Sequence, residues 1–272
     1  MKDLTNVTVQ KNNNVLKTLR KFYNYIPCEN MGYNFLWEKG VKMNDNKPQV
    51  KLISKPENIL KTIYTACRTC YSADTPLNIY DKDVDEEKML NLIKRVVGSG
   101  HYSTVEHIQV SFAISNISRA CTHQLVRHRH MSFSQKSQRY VQEKGQFDYL
   151  IPKTIENNEN LKEKFVEFMG EISKKYLEFV EAGIPAEDAR AVLPNACSTS
   201  MVVSTNLREL IHVANLRLCT RAQLEIRMLV QEMCKALIEQ EPWLKEFLVP
   251  KCERLGFCDE DKCCGRKPKL PE

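Results

Sequence analysis

Glycine is scarce in this chain, and its scarcity limits how the fold can hold a nucleotide. The 272 residues include only nine glycines, and no GxxxxGK[ST] segment occurs. The only GxG is Gly98-Ser99-Gly100, and Ser103 stands where a dinucleotide fingerprint has its third glycine. The P-loop and the glycine-rich loop of dinucleotide-binding folds are therefore both excluded. Any bound nucleotide must be held by side chains and helix ends.

The spacing of apolar residues predicts an α+β fold. In EHIQVSFAIS, residues 106–115, apolar and more polar residues alternate, which indicates a strand. Shorter strands are predicted at 50–53 and 200–205. Helical spacing covers 56–71, 85–97, 159–182, 206–217 and 221–240. Asn116 or Ser118 can cap a further helix that reaches about Arg127. Residues 130–152 are expected to be extended with turns.

Composition divides the chain into three segments. Residues 1–47 form a polar, lysine- and asparagine-rich leader of unknown role, and Met43 is a candidate for the natural start. Residues 48–250 carry the predicted elements and form one domain. Residues 251–272 form a tail with four cysteines: Cys252, Cys258, Cys263 and Cys264. These thiols could ligate zinc, pair with one another or remain free. No other metal site is predicted.

Charge and hydropathy exclude several classes of function. The formal net charge is +6 and the sequence pI is 8.7, which suits anionic small molecules better than nucleic acid. No run of 18 apolar residues occurs, so no membrane span is expected. The N-terminus lacks the apolar stretch of a signal peptide, and we expect a cytoplasmic protein.

Residues 127–140, RHRHMSFSQKSQRY, concentrate cationic groups and hydrogen-bond donors. Arg119, His123 and Arg127 recur every fourth residue before this segment, so one helix edge is cationic. Arginine suits phosphate because its planar guanidinium donates two parallel hydrogen bonds. A second donor-rich stretch spans 206–217, and Arg190 lies among apolar residues, where it needs a partner. These donors are predicted to converge on one anionic ligand.

Several motifs then agree, in order and spacing, with one family. The RHR at 127–129 followed by SQRY at 137–140 resembles the signature of the flavin-dependent thymidylate synthases. GHYSTVEH at 100–107, RAVLP at 190–194, NLRELIHVANLR at 206–217 and AQLEIR at 222–227 are similar to further segments of that family. The resemblance covers roughly residues 48–250.

The resemblance implies a fold, a reaction and an assembly. The fold is α+β, with a small mixed β-sheet flanked by long helices. The reaction is the reductive methylation of dUMP to dTMP, with 5,10-methylenetetrahydrofolate as the carbon donor and FAD, reduced by NADPH, as the hydride source. The assembly is a homotetramer with sites shared between subunits.

The resemblance also implies roles for residues at matching positions. Arg217 is the catalytic residue, and Arg139 and Arg190 hold the phosphate. The implied dUMP ligands are Gln124, Arg127, Gln135, Ser137, Gln138, Arg139, Arg190 and Arg217. The implied FAD ligands are Ser103, Arg127, His128, Arg129, Gln135, Asn206, Arg208 and His212. The family usually has Asn-Glu where this chain has Ser134-Gln135, so no carboxylate role can be assigned there.

Other readings of these residues stay open at the level of sequence. Ser137 is interpreted as a substrate-positioning hydroxyl, because a cationic environment discourages a neighbouring histidine from acting as a base. Cys197 lacks a nearby histidine and is not expected to be a nucleophile. The basic segment with Phe133 and Tyr140 could instead form an RNA-binding surface. A flavoprotein reductase acting on a substrate other than dUMP is the second rival.

Overall fold

The computed structural model describes residues 47–269, which form the following strands and helices. The strands are β1 (Gln49–Ser54), β2 (Gln109–Ser118), β3 (Met131–Gln135) and β4 (Ser198–Asn206). The helices are α1 (Ile59–Thr69), α2 (Pro76–Asp81), α3 (Glu86–Gly98), α4 (Arg119–Leu125), α5 (Lys153–Glu156), α6 (Glu159–Glu181), α7 (Ala186–Ala189), α8 (Leu207–Arg217), α9 (Leu224–Ile238) and α10 (Lys251–Leu255). Residues 1–46, with Met43, lie outside the described part.

The α+β class predicted from the sequence is confirmed, with one correction to the sheet. The strand order is β1-β2-β4-β3, and every pairing among the described strands is antiparallel. The expected mixed sheet is therefore wrong in this detail. The segment 130–152, predicted as extended, contributes the edge strand β3 beside β4.

The core forms where the sheet meets α1, α3, α8 and α9. Val110, Phe112 and Ile114 alternate along β2 and are buried, as their spacing predicts. Leu210 on α8 and Leu229 on α9 are fully buried in the same cluster. Burying each such side chain stabilises the fold by about 1.5–3 kcal/mol. This core fixes the strand end at Ser118 and the helix end at Arg217, between which the candidate site lies.

The boundary between β2 and α4 refines the two predicted caps. Asn116 sits at an irregularity of the β2–β4 pairing and has a φ of 57°, in the left-handed region that asparagine tolerates. Ser118 is the N-cap, and its Oγ accepts the N–H of Cys121 at 3.0 Å. Helix α1 begins at Ile59, so Pro56 precedes it rather than opening it.

Helix α6 packs over a second, smaller apolar cluster. Phe147, Met169 and Cys197 are buried there, against the partly buried Tyr149 and Phe165. Gly183 follows the end of α6 with a φ of 83°, a left-handed conformation that glycine adopts readily. Within residues 47–269 we find no helix with the length and apolar character needed to cross a bilayer.

Glu225 of α9 anchors the start of α4, and this contact makes a testable contribution to stability. Its carboxylate accepts the backbone N–H of Ser118 at 2.6 Å and the hydroxyl of Ser118 at 2.7 Å. Because hydrogen bonds to a charged group each contribute about 1.5–3 kcal/mol, Glu225→Ala should lower the free energy of unfolding by about 3 kcal/mol. Urea titration measures this. Glu239→Ala, at an exposed site, is the control, and an equal effect of both changes would contradict the anchoring role.

Candidate active site

The N-terminus of α4 brings Arg119 next to the segment that carries Arg190. The backbone N–H of Arg119 donates to the carbonyl of Cys197 at 3.0 Å, and that of Ala120 donates to the carbonyl of Asn195 at 2.9 Å. Residues 195–197 follow a short 3₁₀ turn that begins at Arg190. These two hydrogen bonds join the start of α4 to the segment that follows Arg190, and the charge of Arg190 acts on Arg119.

Glu187 brings Arg139 and Arg190 together. The Nε of Arg139 forms an ion pair with the Glu187 carboxylate, and the Nε of Arg190 donates to the Glu187 backbone carbonyl at 3.1 Å. Both arginines are exposed. The two groups predicted to hold the phosphate thus share one anchor, although Arg139 follows β3 and Arg190 follows α7.

Arg119 also belongs to this group, although the family resemblance implies no ligand role for it. Burial, followed by the nearby charge of Arg190, lowers the pKa of its guanidinium. Neither Arg119 nor Arg190 forms an ion pair within residues 47–269. Two neighbouring cations without a counter-anion repel one another and attract an anion. The recurrence of Arg119, His123 and Arg127 at every fourth position was the signal available in the sequence.

A second group surrounds Arg217, the last residue of α8. Its Nε donates to Nε2 of His128 at 3.0 Å. On the other side of the ring, Nδ1 of His128 lies 3.7 Å from Oε1 of Glu209. His128 and Glu209 are only 6% and 8% exposed. His212 stands one helical turn from Glu209, its ring centroid 6.3 Å from that of His128.

The imidazole of His128 is neutral at neutral pH. Burial, together with the charges of Arg217 and His212, lowers its pKa to about 4. Because an arginine N–H donates to Nε2, that nitrogen carries a lone pair and the proton lies on Nδ1. The contact with Glu209 therefore joins a carboxylate to a neutral N–H and is not an ion pair.

This neutral histidine makes stability fall with acidification. In the unfolded chain a histidine has a pKa near 6.5, so between that pH and about 4 the unfolded state binds a proton that the folded state does not. The free energy of unfolding should drop by up to about 3 kcal/mol across this window. Urea unfolding of the ligand-free protein at several pH values measures it. His128→Gln should make the free energy of unfolding less dependent on pH in this window. An unchanged pH dependence would contradict the assignment of a neutral His128.

Four of the eight predicted flavin ligands lie at or near the start of α8. Arg208 forms an ion pair with Glu106, which directly follows the 3₁₀ turn Tyr102–Val105 that contains Ser103. Asn206 caps the helix, its Oδ1 accepting the N–H of Glu209 at 2.8 Å. His212 is exposed one turn beyond Arg208. These side chains form a polar surface next to the Arg217 group.

The remaining predicted ligands lie around α4 and β3. Nε2 of Gln135 donates to the hydroxyls of Thr122 and Thr199 at 3.2 and 3.3 Å, so its carbonyl oxygen is the atom left for a ligand. Oγ of Ser137 accepts the N–H of Arg139 at 3.1 Å and shapes the turn that carries this arginine.

Four further predicted ligands have few internal partners. Nε2 of Gln124 donates to Gln223 at 3.3 Å, and Gln138 is partly buried. Arg127 and Arg129 are exposed, and neither forms an ion pair in the described part of the chain. Their guanidinium groups are therefore available to a ligand.

The cysteines do not form a reactive or metal-binding centre among residues 47–269. Burial raises the pKa of Cys197 to about 12, which disfavours the nucleophilic thiolate. The four tail cysteines are free, and no three histidine, cysteine or acidic side chains in the described residues are arranged to hold a metal. Cys67 and Cys70, which have the CxxC spacing of some redox motifs, lie in the last turn of α1 and at its C-cap.

The arginine groups are open to solvent rather than enclosed. A cavity of about 250 Å³ lies elsewhere, between α1 and α3, and is lined by Arg68, Tyr71, Arg95 and His101 among others. It borders the turn with Ser103 but includes none of the predicted dUMP ligands. A ligand bound by these arginines would therefore stay exposed to solvent unless other groups cover it.

Comparisons with known proteins agree with one another. Residues 51–243 match the family model Thy1, described as thymidylate synthase complementing protein. The chain is 39% identical over 240 residues to the flavin-dependent thymidylate synthase of Nitratidesulfovibrio vulgaris, an alignment covering 83% of this chain and 98% of that one. The enzyme of the same name from Pyrococcus abyssi is 38% identical, covering 78% and 89%.

A solved structure shares the fold. The crystal structure of the UMP/dUMP methylase PolB from Streptomyces cacaoi, bound with 5-Br dUMP, superposes with a TM-score of 0.65. The match covers 74% of this chain and 97% of that one at 21% sequence identity.

Proposed function

Because the chain belongs to the family of flavin-dependent thymidylate synthases, we propose that it methylates dUMP to give dTMP. In this reaction C5 of the uracil ring gains a carbon that becomes a methyl group. 5,10-Methylenetetrahydrofolate supplies the carbon, and NADPH supplies the reducing equivalents through the flavin. Family membership supports the two co-substrates.

One observation carries the proposal: a set of arginines without counter-anions. Nine arginines form no ion pair within residues 47–269, and five of these lie on α4, next to it or in the segments that contact it: Arg119, Arg127, Arg129, Arg190 and Arg217. They flank α4, a helix of seven residues, which at 1.5 Å per residue is about 10 Å long. A mononucleotide, with its phosphate at one end and its base at the other, suits such a span.

The two arginine groups fit the two ends of dUMP. Arg119, Arg139 and Arg190 are assigned to the phosphate, since guanidinium groups bind phosphate oxygens bidentately. Arg217 is assigned to the pyrimidine ring, where negative charge develops during the reaction. A fixed cation at that point stabilises the transition state more than the ground state. Gln124, Gln135, Ser137 and Gln138 supply further hydrogen bonds between these ends.

The polar surface at the start of α8 fits FAD. Ser103, Asn206, Arg208 and His212 offer hydroxyl, amide, guanidinium and imidazole donors, and this chain has no glycine-rich loop for the same task. Arg127 and Arg129 extend the donor set toward the nucleotide site. When bound, the flavin supplies the hydride that reduces the transferred carbon.

A homotetramer is proposed because a single chain leaves the site open. Helix α6 exposes Leu161, Phe168 and Phe179, with side chains 48%, 56% and 40% exposed. Exposed apolar side chains grouped on one helix are typical of interfaces between subunits. Packing α6 and the open arginine groups against other copies would cover the apolar side chains and enclose the ligands.

An absorption spectrum before and after addition of dUMP tests the proposal. The purified protein should show the flavin bands, lose them on reduction by NADPH, and show a perturbed flavin spectrum when dUMP binds. A flavoprotein reductase for another substrate would be yellow but insensitive to dUMP. A colourless protein that binds RNA with a steep salt dependence would contradict the proposal entirely.

A further inference from the structure

Arg217 is hydrogen-bonded to the buried His128, and the buried Glu209 lies on the opposite side of the same ring. Its Nε donates to Nε2 of His128 at 3.0 Å, and Glu209 lies 3.7 Å beyond, at Nδ1 of the same ring. Glu209 and Arg217 both belong to α8, whereas His128 follows α4. The imidazole therefore connects two positions on one helix through a residue that is 89 positions away from Arg217 in sequence.

We propose that Glu209 and His128 are positioning residues that fix the guanidinium of Arg217 toward the substrate. This inference rests on the proposed function and assigns the His128 ring to Arg217 rather than to FAD. One hydrogen bond at Nε leaves the two terminal amino groups of Arg217 without a partner in the described part of the chain. Those two groups are the pair that a planar ligand edge can accept from.

The arrangement requires a particular tautomer. Nε2 can accept from Arg217 only when it is unprotonated, so the single ring proton must lie on Nδ1, facing Glu209. A carboxylate on that side favours this tautomer electrostatically. The groups facing the ring are Arg217 and His212, which disfavour a second proton, and Glu209, which favours it. Burial of the ring also opposes a second proton, so the ring stays neutral at neutral pH.

Preorganisation is the expected benefit. A free arginine side chain on a helix end samples many rotamers, and ordering it on binding costs free energy. His128 and Glu209 are buried and thus ordered before substrate arrives. Arg217 therefore meets the uracil ring with its orientation already set, as a preorganised electrostatic site requires.

Two substitutions of His128 separate positioning from simple packing. His128→Phe keeps a ring of similar volume but offers no acceptor to Arg217. His128→Gln retains an oxygen that can accept from the same Nε. We expect His128→Phe to lower kcat/KM for dUMP by about 10- to 100-fold, the effect of losing one hydrogen bond to a charged group. His128→Gln should recover most of that loss at equal flavin content.

The controls address folding and general histidine loss. His130→Phe makes the same change at an exposed position two residues away, and should behave as wild type. Glu209→Gln removes the charge that lies 3.7 Å from Nδ1 but leaves the hydrogen bond between His128 and Arg217 in place, so its effect should be smaller than that of His128→Phe. Equal losses for His128→Phe and His128→Gln, or a wild-type His128→Phe, would overturn the inference.

A spectroscopic test uses the wild-type holoenzyme and does not depend on activity. In ¹⁵N NMR of histidine-labelled protein, the His128 signals should be those of a neutral ring protonated at Nδ1. Protonation at Nε2 would overturn the inference even if dUMP is methylated. Conversely, failure of the wild-type enzyme to methylate dUMP would remove the proposed function while leaving the measured tautomer as a fact about the fold.

Discussion

Replacing Arg217 with alanine should nearly abolish dTMP formation while leaving the protein yellow. The guanidinium is hydrogen-bonded to His128, which follows α4, and it is assigned to the charge that develops on the uracil ring. Removing one such preorganised donor from an active site typically lowers kcat by about 100- to 1,000-fold. The measurement pairs the rate of dTMP formation with the flavin absorbance of the same sample.

The flavin readout makes this prediction specific. A colourless Arg217→Ala protein would reassign the side chain to the cofactor, and a rate within threefold or so of wild type would exclude a catalytic role. Arg217→Lys retains the charge but loses the planar guanidinium and the Nε–H that donates to His128. Its rate of dTMP formation should therefore lie between those of wild type and Arg217→Ala. Arg266→Ala, in the tail where the residue pairs with Glu253, is the matched control.

Replacing Arg190 with alanine should weaken dUMP binding about 10- to 100-fold with little change in kcat. A charge-assisted hydrogen bond contributes about 1.5–3 kcal/mol, and 1.4 kcal/mol corresponds to a factor of ten in affinity. Arg119 and Arg139 remain nearby and limit the loss. The measurement is the KM for dUMP, supported by titration of the flavin spectrum with dUMP.

Deoxyuridine identifies the end of the nucleotide that Arg190 contacts. Because this nucleoside lacks the phosphate, it should bind wild type and Arg190→Ala equally weakly. If the variant also weakens deoxyuridine binding, Arg190 acts on the base or sugar instead. Arg95→Ala, an exposed helix arginine without an ion pair in residues 47–269, should leave both affinities unchanged.

Local sequence patterns were sufficient for most elements because those patterns act over a few residues. The alternation along 106–115 predicts β2, and the spacing over 159–182 predicts α6 within one residue of its observed end at Glu181. Ser118 was one of two candidate caps, with Asn116, and the structure decided between them. Helix α2 was missed, since its six residues are too few to establish a period.

The pairing of the strands in the sheet could not be predicted from such local patterns. Strand pairing joins residues far apart in the chain, as when Val110 faces Thr205 across β2 and β4. The residues within one strand do not determine whether the neighbouring strand runs parallel or antiparallel to it. The expected mixed sheet is therefore replaced by an antiparallel one in the described residues, and only the assembled structure could decide this.

The sequence by itself determined the chemistry of the site: arginines and amides in motifs that identify the family, and no glycine loop for a nucleotide. Tertiary structure decided which of these groups act together. It joined Arg139 to Arg190 through Glu187, added Arg119, and placed Glu209 behind His128. The physical reason is that periodicity reports a residue's own helix or strand, whereas partners 48 or 89 positions apart are brought into contact only by packing of the core.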